Sequence, residues 1–411
     1  MSEILFLSHR IPFPPDRGDK IRSHHVLRHL ARITPVHVAT FADDEGDVAA
    51  EAEVGALAAS HRVVPRAKPL ALAAVEAMAS GRPISVTAFR SRALHDYVRE
   101  VLARRPIGLV YVFSGQMGQY VPAAFAGRVV ADFVDVDSAK FEAYAARDGG
   151  LRGWAEAREA RLMRAEELRL ARRAAVSLLI SDEEAALFRT RLPAEERDRI
   201  AVRRLANGID SALFDPAVVP PEPKLGAFAG PRLIFTGQMD YAPNIQACLR
   251  AARRILPAIR RRHPEASLHI VGRNPAPVLT ALSGRDGVHV WGRVPEVQPW
   301  LAGADLSLVP LEIGRGVQNK VLEAMAMALP VVLSPEAATG IGATDGRDFA
   351  LAGSDAEFAE ACCALLADRV KAHAMGDAAR RFVVARASWS AALAELSQIA
   401  GLTGAPTRDA A

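Results

Sequence analysis

The sequence predicts an α/β protein with two halves, each a doubly wound parallel sheet with helices on both faces. Short apolar segments alternate with longer helical patterns along the chain, which is typical of strand–helix–strand units. The chain has 411 residues, too many for one ordinary hydrophobic core, so two domains are expected. A proline-rich stretch over residues 214–231 separates the two halves.

The charge, the cysteines and the apolar runs of the sequence indicate which partners and which cellular compartment to expect. A net charge of +4, spread over many arginines, suits a phosphorylated ligand or an anionic membrane surface and does not indicate a nucleic-acid-binding tail. Cys248, Cys362 and Cys363 lie in apolar helical patterns without metal-ligand spacing, so we expect a reducing cytoplasmic compartment and no disulfides. Because no long apolar run occurs, any membrane contact is expected to be peripheral.

The chain opens with a strand–loop–helix–strand unit, with strands over residues 4–8 and 36–41 and a helix over 21–31. Such a unit predicts parallel pairing. The loop contains Gly18 immediately before the helix but lacks the G-x-G-x-x-G fingerprint of dinucleotide sites. Gly18 is predicted to let a phosphate or an acceptor approach the backbone, and the alternative is an ordinary turn glycine.

The rest of the first half continues this pattern. Residues 48–79 are rich in alanine and partly helical, and a helix follows over 91–104. The later strands are predicted over residues 109–113, 129–134, 176–180 and 200–205, with a helix over 183–191 that Ser181 caps.

Asp135 and Asp137 follow the strand 129–134, at the sheet edge where doubly wound proteins bind ligands. The D-x-D spacing resembles the metal–nucleotide motif of one class of sugar transferases. No histidine or third acid is adjacent in sequence, so no metal site is expected. The alternative is that one of the two aspartates caps a helix that starts near Ser138.

Residues 154–176 predict a long helix with many charges of both signs. Ion pairs along a solvated face explain this composition. Contact with an anionic membrane is the alternative, and it would suit a lipid acceptor.

The second half repeats the alternation after the proline-rich stretch. Strands are predicted over residues 232–236, 268–272, 288–291, 304–310 and 330–334. Helices are predicted over residues 245–262, 277–282, 320–329, 355–367, 371–386 and 389–402.

A polar loop joins the strand 304–310 to the helix 320–329. Gly314 and Gly316 allow a ligand to approach its backbone closely. In a parallel sheet this loop meets a helix N-terminus, where free N–H groups and the helix dipole favour an anion. The loop is therefore predicted to bind a phosphate group.

Arg315 and Lys320 add positive charge at this loop, and Glu323 lies one helical turn beyond Lys320. A carboxylate there can accept hydrogen bonds from two sugar hydroxyls. The alternative is an exposed loop followed by a helical Lys/Glu pair.

An ordered series of motifs resembles glycosyltransferase family 4. LANGID, at residues 205–210, is similar to P-N-G-[VI]-D, and KVLEAMAMALPVVLS, from residue 320, is similar to the signature [E]-x7-E-A-M-A-x-G-x-P-V-V. Between them, the segments that resemble the nucleotide-sugar domain are LIFTGQMDYAPN, LHIVGRNP, VHVWGRV and ADLSLVPL. HRIPFPPDRGDKIRSHHVLRHLA and DFVDVDSAKFEAYA further resemble the exosortase/PEP-CTERM-associated branch.

The resemblance implies the GT-B fold, two Rossmann-like domains that face each other across a cleft. The acceptor-side domain is then expected at residues 1–213, the linker at 214–231 and the nucleotide-sugar domain at 232–387. A helix over 388–402 is expected to cross back and pack on the first domain, and 403–411 form a flexible tail.

The resemblance also assigns donor-site residues. Glu323 matches the glutamate that holds the ribose hydroxyls, whereas the family's first glutamate falls on Arg315. In the loop that starts at Gly237, the arginine and lysine that hold the diphosphate fall on Gln238 and approximately on Asn244. Both cations are missing there, so the hypothesis is that Arg315 and Lys320 replace them as the catalytic cations.

The resemblance places further contacts outside this loop. Gly292, Arg293 and Val294 match the segment whose backbone contacts the nucleobase. The family's catalytic-region histidine is missing, which leaves Asp135, with Asp137 as the second choice, to hydrogen-bond the sugar or the acceptor.

A retaining glycosyltransferase is therefore expected, with a UDP- or GDP-sugar as donor, a glycan or lipid-linked acceptor, and no metal or other cofactor. Its expected place is the cytoplasm or the inner face of the cytoplasmic membrane, in surface or exopolysaccharide assembly, without a nucleic-acid partner. The alternatives are a GT-B epimerase of UDP-sugars and a catalytically degenerate GT-B protein that acts as a binding or scaffold partner.

Overall fold

Two parallel β-sheets organise the chain, which a computed structural model describes over residues 2–314 and 316–402. The first sheet lies in a unit that runs to Asn207 and includes the segment from Leu393 onward. The second sheet lies in the unit Gly208–Ala392. Two doubly wound halves confirm the predicted α/β class.

The first sheet has seven parallel strands. They are β1 Glu3–Ser8, β2 Val36–Ala42, β3 Ser60–Pro65, β4 Ile107–Phe113, β5 Arg128–Val134, β6 Val176–Leu179 and β7 Val202–Arg204. The order β3-β2-β1-β4-β5-β6-β7 reverses direction between β1 and β4. Loops that leave the carboxyl ends of these two strands therefore diverge and frame the position where doubly wound sheets bind ligands.

Helices cover the first sheet at Gly18–Ala31, Glu45–Ala49, Glu51–Leu57, Leu70–Ser80, Ile84–Thr87, Arg92–Arg104, Asp137–Arg147, Gly150–Arg173, Asp182–Arg191 and Leu396–Ile399. Ser181 caps its helix as predicted, since its side chain accepts a hydrogen bond from the Glu184 N–H. The strand β3, by contrast, lies in a region predicted only as partly helical. It is an edge strand whose residues are all half-buried or exposed, so it lacks the apolar alternation that marks a strand.

The second sheet has six parallel strands. They are β8 Arg232–Thr236, β9 Ser267–Val271, β10 Val288–Gly292, β11 Leu306–Val309, β12 Val331–Leu333 and β13 Ala350–Leu351. The order β10-β9-β8-β11-β12-β13 reverses direction between β8 and β11. We call a position where the strand order reverses a switch point. The loops after β8 and β11 therefore frame the switch point of the second sheet, and the loops after β1 and β4 frame that of the first.

Helices of the second unit lie at Ala242–Arg250, Leu256–Arg260, Pro277–Thr280, Gln298–Ala302, Asn319–Ala326, Pro335–Ala338, Asp355–Ala367, Arg369–Phe382 and Trp389–Ala392. The helix predicted over residues 245–262 is interrupted by a π-helical turn, Ala251–Ile255. Pro257 explains the interruption, because it has no N–H to donate and its ring crowds the preceding turn.

The proline-rich segment packs into the second unit. Phe214 and Leu225 are buried in its core, and the Glu222 N–H donates to the Pro299 carbonyl at 2.8 Å. The helix predicted over 389–402 is two short helices separated by a turn: Trp389–Ala392 belongs to the second unit and Leu396–Ile399 to the first. The predicted tail, 403–411, lies outside the described residues. Over the described part of the chain, no helix is long and apolar enough to cross a membrane.

Candidate functional site

A cavity of about 390 Å³ lies in the second unit at the switch point between β8 and β11. The loop after β8 forms one wall, and the loop and helix after β11 form the other. Its polar lining residues are Gln238, Tyr241, Asn244, Gln318, Asn319, Lys320 and Glu323. A larger cavity, of about 510 Å³, lies at the amino ends of the strands, where Arg232 and Asp305 neutralise each other. We therefore place the candidate site at the switch point.

The helix Asn319–Ala326 holds two of the predicted residues at this cavity. Val321, Leu322 and Met325 are buried on its inner side, and this packing leaves Lys320 and Glu323 on the cavity wall, one turn apart. The helix ends before the predicted residue 329. Ala328 adopts a left-handed conformation, with φ +52°, at the position where the family signature has glycine.

Arg380 secures the end of this helix. Its guanidinium donates to the Ala326 carbonyl at 2.6 Å and to the Phe214 carbonyl at 2.8 Å. The same side chain forms an ion pair of 2.9 Å with Asp215. These bonds satisfy a free carbonyl at the helix C-terminus and tie the helix to the proline-rich segment.

Lys320 reaches across the cavity to the loop after β8. Its Nζ atom donates to Asn244 Oδ1 at 2.5 Å and lies 4.6 Å from the centre of the Phe235 ring. Burial lowers the pKa of Lys320 to about 8, although the neighbouring Cys248 and Glu323 oppose this shift. The amino group is therefore a cation at neutral pH whose hydrogen-bond partner is an uncharged amide.

Glu323 lies beside Lys320 and is half-buried. Burial raises the pKa of its carboxyl group to about 7, and the charge of Lys320 opposes this shift. A ligand that donates hydrogen bonds to this carboxylate would compensate for the water that burial removes. This property fits a pair of sugar hydroxyls.

The site glycines have different structural roles. Gly237 has φ +149°, and a Cβ atom there would lie 3.0 Å from Asn244 Nδ2 and 3.4 Å from Lys320 Nζ. A Cβ atom at Gly314 would lie 2.0 Å from the Glu336 carbonyl oxygen, so packing of the loop already requires glycine there. Gly316 has φ +63° with open space around it. Arg315 lies outside the described residues.

The positions of the missing family cations lie directly at this contact. Asn244 holds Lys320 and donates from Nδ2 to the Gln238 carbonyl at 2.8 Å. Arg273, which the sequence did not single out, donates to Gln238 Oε1 at 2.9 Å. It follows β9, the neighbour of β8, so its place at a strand's carboxyl end was the signal that could have revealed it.

Arg293 and Val294 follow β10 and do not line the cavity. Two strand spacings separate β10 from β8, a distance of roughly 10 Å. Their predicted contact with a nucleobase stays a prediction.

Asp135 and Asp137 lie in the first unit, after β5. Val134, with φ +69°, turns the chain there, a strained conformation for a β-branched residue. Lys140 Nζ pairs with Asp135 at 2.9 Å and with Asp137 at 3.2 Å. Among the described residues, no group of three His, Cys, Asp or Glu side chains is arranged to hold a metal ion.

The alternative interpretation, in which one of these aspartates caps the next helix, is wrong. The helix begins at Asp137, and its N-cap residue is Val136, which has no side-chain acceptor. Carboxylates from distant helices satisfy the free N–H groups instead. Glu184 accepts from the Val136 N–H at 2.7 Å, and Glu167 accepts from the Ser138 N–H at 2.9 Å.

Gly18 is the first residue of the helix Gly18–Ala31, and a Cβ atom there would meet nothing within 4 Å. Packing therefore does not require glycine at this position, and its predicted approach to a ligand stays a prediction.

Arg22, one turn further along this helix, is a buried charge that the sequence did not reveal. It is fully buried and forms two hydrogen bonds of 3.0 Å to the carboxylate of Asp132. It also donates to the Leu205 carbonyl at 2.7 Å and to Asn207 Oδ1 at 2.9 Å. Arg22 thereby holds the start of the LANGID motif.

Comparisons with known proteins agree with this architecture. Residues 230–368 match the family model described as "Glycosyl transferases group 1". Curated protein sequences give no significant match.

The chain is also similar to solved structures that it covers along their whole length. HepE from Anabaena, solved with UDP and glucose, has 14% identity and a TM-score of 0.57, over 97% of this chain and 99% of that one. WaaG, a glycosyltransferase involved in lipopolysaccharide biosynthesis, has 17% identity and a TM-score of 0.58, over 97% and 100%. Sucrose-phosphate synthase from Thermosynechococcus elongatus has 15% identity and a TM-score of 0.56, over 97% and 98%.

At these identities the structural likeness shows the fold alone. The chain has the GT-B fold, and its residues 230–368 are similar to the group 1 glycosyltransferase family.

Proposed function

We propose that this chain is a retaining glycosyltransferase that moves a sugar from a nucleotide-diphosphate sugar to a glycan or lipid-linked acceptor. The observation that carries the proposal is that Lys320 and Glu323 lie one helical turn apart on the wall of a switch-point cavity, within the segment that matches the group 1 glycosyltransferase family. One side chain suits a diphosphate and the other suits a ribose.

The diphosphate is proposed to bind between Lys320 and the start of the helix Asn319–Ala326. The N-terminus of this helix lies at the cavity, with Asn319 and Lys320 in its first turn, and a helix N-terminus favours an anion. As the bond to the sugar breaks, the diphosphate gains negative charge. The Lys320 ammonium stabilises that charge, so the reaction needs no metal ion for this purpose.

The ribose is proposed to bind at Glu323 and the nucleobase to extend toward Arg293 and Val294, after β10. Uridine nucleotides are the first donors to test, because HepE was solved with UDP and with UDP-glucose. GDP-sugars are the second donor class.

Transfer is proposed to occur on the face of the sugar from which the diphosphate leaves. The acceptor hydroxyl bonds to the anomeric carbon as the bond to the diphosphate breaks, and a leaving phosphate oxygen takes the hydroxyl proton. Asp135 and Asp137 hydrogen-bond the sugar or the acceptor. The proposed setting is surface or exopolysaccharide assembly at the inner face of the cytoplasmic membrane.

The test is titration calorimetry with UDP, GDP and ADP, followed by product analysis with the matching nucleotide sugars. The proposal predicts that one nucleotide binds and that its sugar appears on an added acceptor with the anomeric configuration retained. A Glu323→Gln variant is expected to bind that nucleotide more weakly.

The same titrations separate the alternative functions. A chain that binds none of the nucleotides would contradict the proposal and favour a scaffold protein. Turnover of a UDP-sugar to its epimer without an acceptor would contradict it in favour of an epimerase.

A further inference from the structure

The helix Leu70–Ser80 buries small side chains and exposes large apolar ones, the reverse of an ordinary surface helix. Only two alanines, Ala73 and Ala77, are buried, whereas its large apolar side chains face outward. The exposed fractions are 70% for Leu70, 56% for Leu72, 67% for Val75 and 57% for Met78. A surface helix normally buries such residues and exposes polar ones.

The outward side chains form one continuous face. Leu72, Val75 and Met78 follow each other at intervals of three residues, so they lie within an arc of about 120° on the helix. Ala71 and Ala79 fall within the same arc and are also exposed. The whole outer face is therefore apolar.

A second helix of the same unit exposes two more apolar side chains. Arg158 donates to the Ala77 carbonyl at 2.9 Å and thereby joins the helix Gly150–Arg173 to the end of the helix Leu70–Ser80. Leu151 and Trp154 precede Arg158 by seven and four residues, so they lie on the same side of their helix. They are 83% and 56% exposed. We call these six residues the apolar patch: Leu70, Leu72, Val75, Met78, Leu151 and Trp154.

The sequence segment that contains the helix Leu70–Ser80 carries a net positive charge. Residues 62–105 contain nine Lys and Arg residues and three Asp and Glu residues, a net charge of +6, against +4 for the whole chain. Glu76, the acid of the helix, is paired with Lys68 at 2.8 Å and with Arg90 at 2.9 Å. These two ion pairs place Lys68 and Arg90 beside the helix that carries the patch, with one acid between two cations.

Two arginines near the end of the long helix Gly150–Arg173 form ion pairs. Arg169 pairs with Glu166 at 2.7 Å, and Arg172 pairs with Glu196 at 2.5 Å. These pairs favour the interpretation of this part of the helix as a solvated face.

We infer that the apolar patch docks the chain on a bilayer of anionic phospholipid. Exposed aliphatic side chains on one helix can enter the boundary between headgroups and acyl chains, and the surrounding cations attract anionic headgroups. Trp154 suits this boundary because its ring has an apolar body and a polar N–H. The inference names the surface for the membrane contact in the proposed function on which it rests. Its test requires no sugar transfer, so failure of docking and failure of catalysis are separate results.

The test is flotation of the full chain with vesicles of phosphatidylcholine mixed with phosphatidylglycerol, and with vesicles of phosphatidylcholine alone. These vesicles contain no acceptor, so binding reports the bilayer itself. We expect binding to the anionic vesicles that weakens at high salt. A triple variant, Leu72→Ser with Val75→Ser and Met78→Ser, is expected to lose roughly tenfold or more of its vesicle affinity.

A matched control uses apolar residues exposed elsewhere. Val218 and Val370 are 71% and 82% exposed in the second unit. The variant Val218→Ser with Val370→Ser is expected to bind vesicles like the unchanged chain. Both variants should keep the unfolding temperature, because the substituted side chains are exposed.

Tryptophan fluorescence gives a second, local readout. Trp300 and Trp389 are buried, Trp291 is half-buried, and Trp154 is exposed. Anionic vesicles should shift the emission to shorter wavelength, and Trp154→Phe should abolish the shift.

Two results would overturn the inference. One is vesicle binding by the triple variant equal to that of the unchanged chain. The other is a dimer in light scattering that the triple variant converts to a monomer, without vesicle binding by either protein, which would assign the patch to a second copy of the chain.

Discussion

The two switch points have the same topology and use their charges differently. At the carboxyl edge of the first sheet, acids and bases neutralise one another: Arg10 pairs with Asp19 at 2.6 Å, and Lys20 pairs with Asp47 at 2.5 Å. At the second switch point, Lys320 bonds to the amide of Asn244, and its neighbour Glu323 lies on the cavity wall.

This difference distinguishes charges that stabilise the fold from charges that can bind a ligand. A charge that is paired and buried holds loops in place and is costly to remove. A half-buried charge bonded to an amide keeps the capacity to bind an ion of opposite sign. Replacement of a buried, paired charge in the first unit is therefore predicted to reduce stability, and replacement of Lys320 or Glu323 to reduce ligand affinity.

Replacement of Arg22 should have the largest effect. Arg22→Met would leave the Asp132 carboxylate buried without its partner, and we expect a loss of about 3–5 kcal/mol in the free energy of unfolding. Urea denaturation of the full chain measures this loss.

Arg10→Met is the matched control, because Arg10 forms ion pairs in the same region but is partly exposed. Its expected cost is about 1 kcal/mol or less. Equal losses for the two variants would contradict the view that burial of the pair determines its importance.

Glu323 should show its role in the pH dependence of donor binding. Since burial raises the pKa of Glu323 to about 7, the carboxylate forms, and affinity for the nucleotide sugar rises, as the pH increases through that value. Affinity should fall again as Lys320 loses its proton above pH about 8. Calorimetry across this pH range measures both the rise of donor affinity (the rising limb) and its fall.

Glu323→Gln is expected to weaken binding by roughly 10-fold to 100-fold above the pKa of the carboxyl group, because a charged hydrogen-bond acceptor is lost. The rising limb should disappear, so that the two proteins converge at low pH. A rising limb that persists in the glutamine variant would assign the titration to another group.

Two glycine-to-alanine substitutions compare the effect of one added methyl group at the two switch points. Gly237→Ala forces a Cβ onto a residue with φ +149°, near Asn244 and Lys320, and should cost about 1–3 kcal/mol of stability as well as donor affinity. Gly18→Ala meets open space, so we expect the stability to change by about 0.5 kcal/mol or less. Turnover of this variant should fall, because only a ligand would contact the new methyl group.

Thermal unfolding and steady-state kinetics of both variants measure these effects. Normal turnover in Gly18→Ala would remove Gly18 from the donor site. A stable Gly237→Ala protein with unchanged donor affinity would show that the loop after β8 does not contact the donor.

The regular alternation of apolar segments was sufficient to predict the parallel sheets and the helix that carries Lys320 and Glu323. Strands buried on both faces have a continuous apolar signature, and helix starts have recognisable polar residues. The edge strand β3 lacked that signature, and Pro257 altered a helix whose overall pattern was regular.

Long-range pairing could not be predicted from one sequence. Arg22 and Asp132 are 110 positions apart, and an arginine in a helix normally indicates an exposed face. The alanine-rich region was predicted only as partly helical, and its composition does not say which side of a helix faces the protein. In the helix Leu70–Ser80 the small residues face the protein and the large ones face outward, which only the packing reveals.

The most direct test of the account compares the nucleoside diphosphate selected by calorimetry with the corresponding nucleoside, in the unchanged chain and in Lys320→Ala. If Lys320 replaces the missing family cations, the variant should bind the diphosphate roughly 100-fold or more weakly and the nucleoside with unchanged affinity. Diphosphate affinity close to that of the unchanged chain, or an equal loss for both ligands, would contradict the assignment of Lys320 to the donor phosphates.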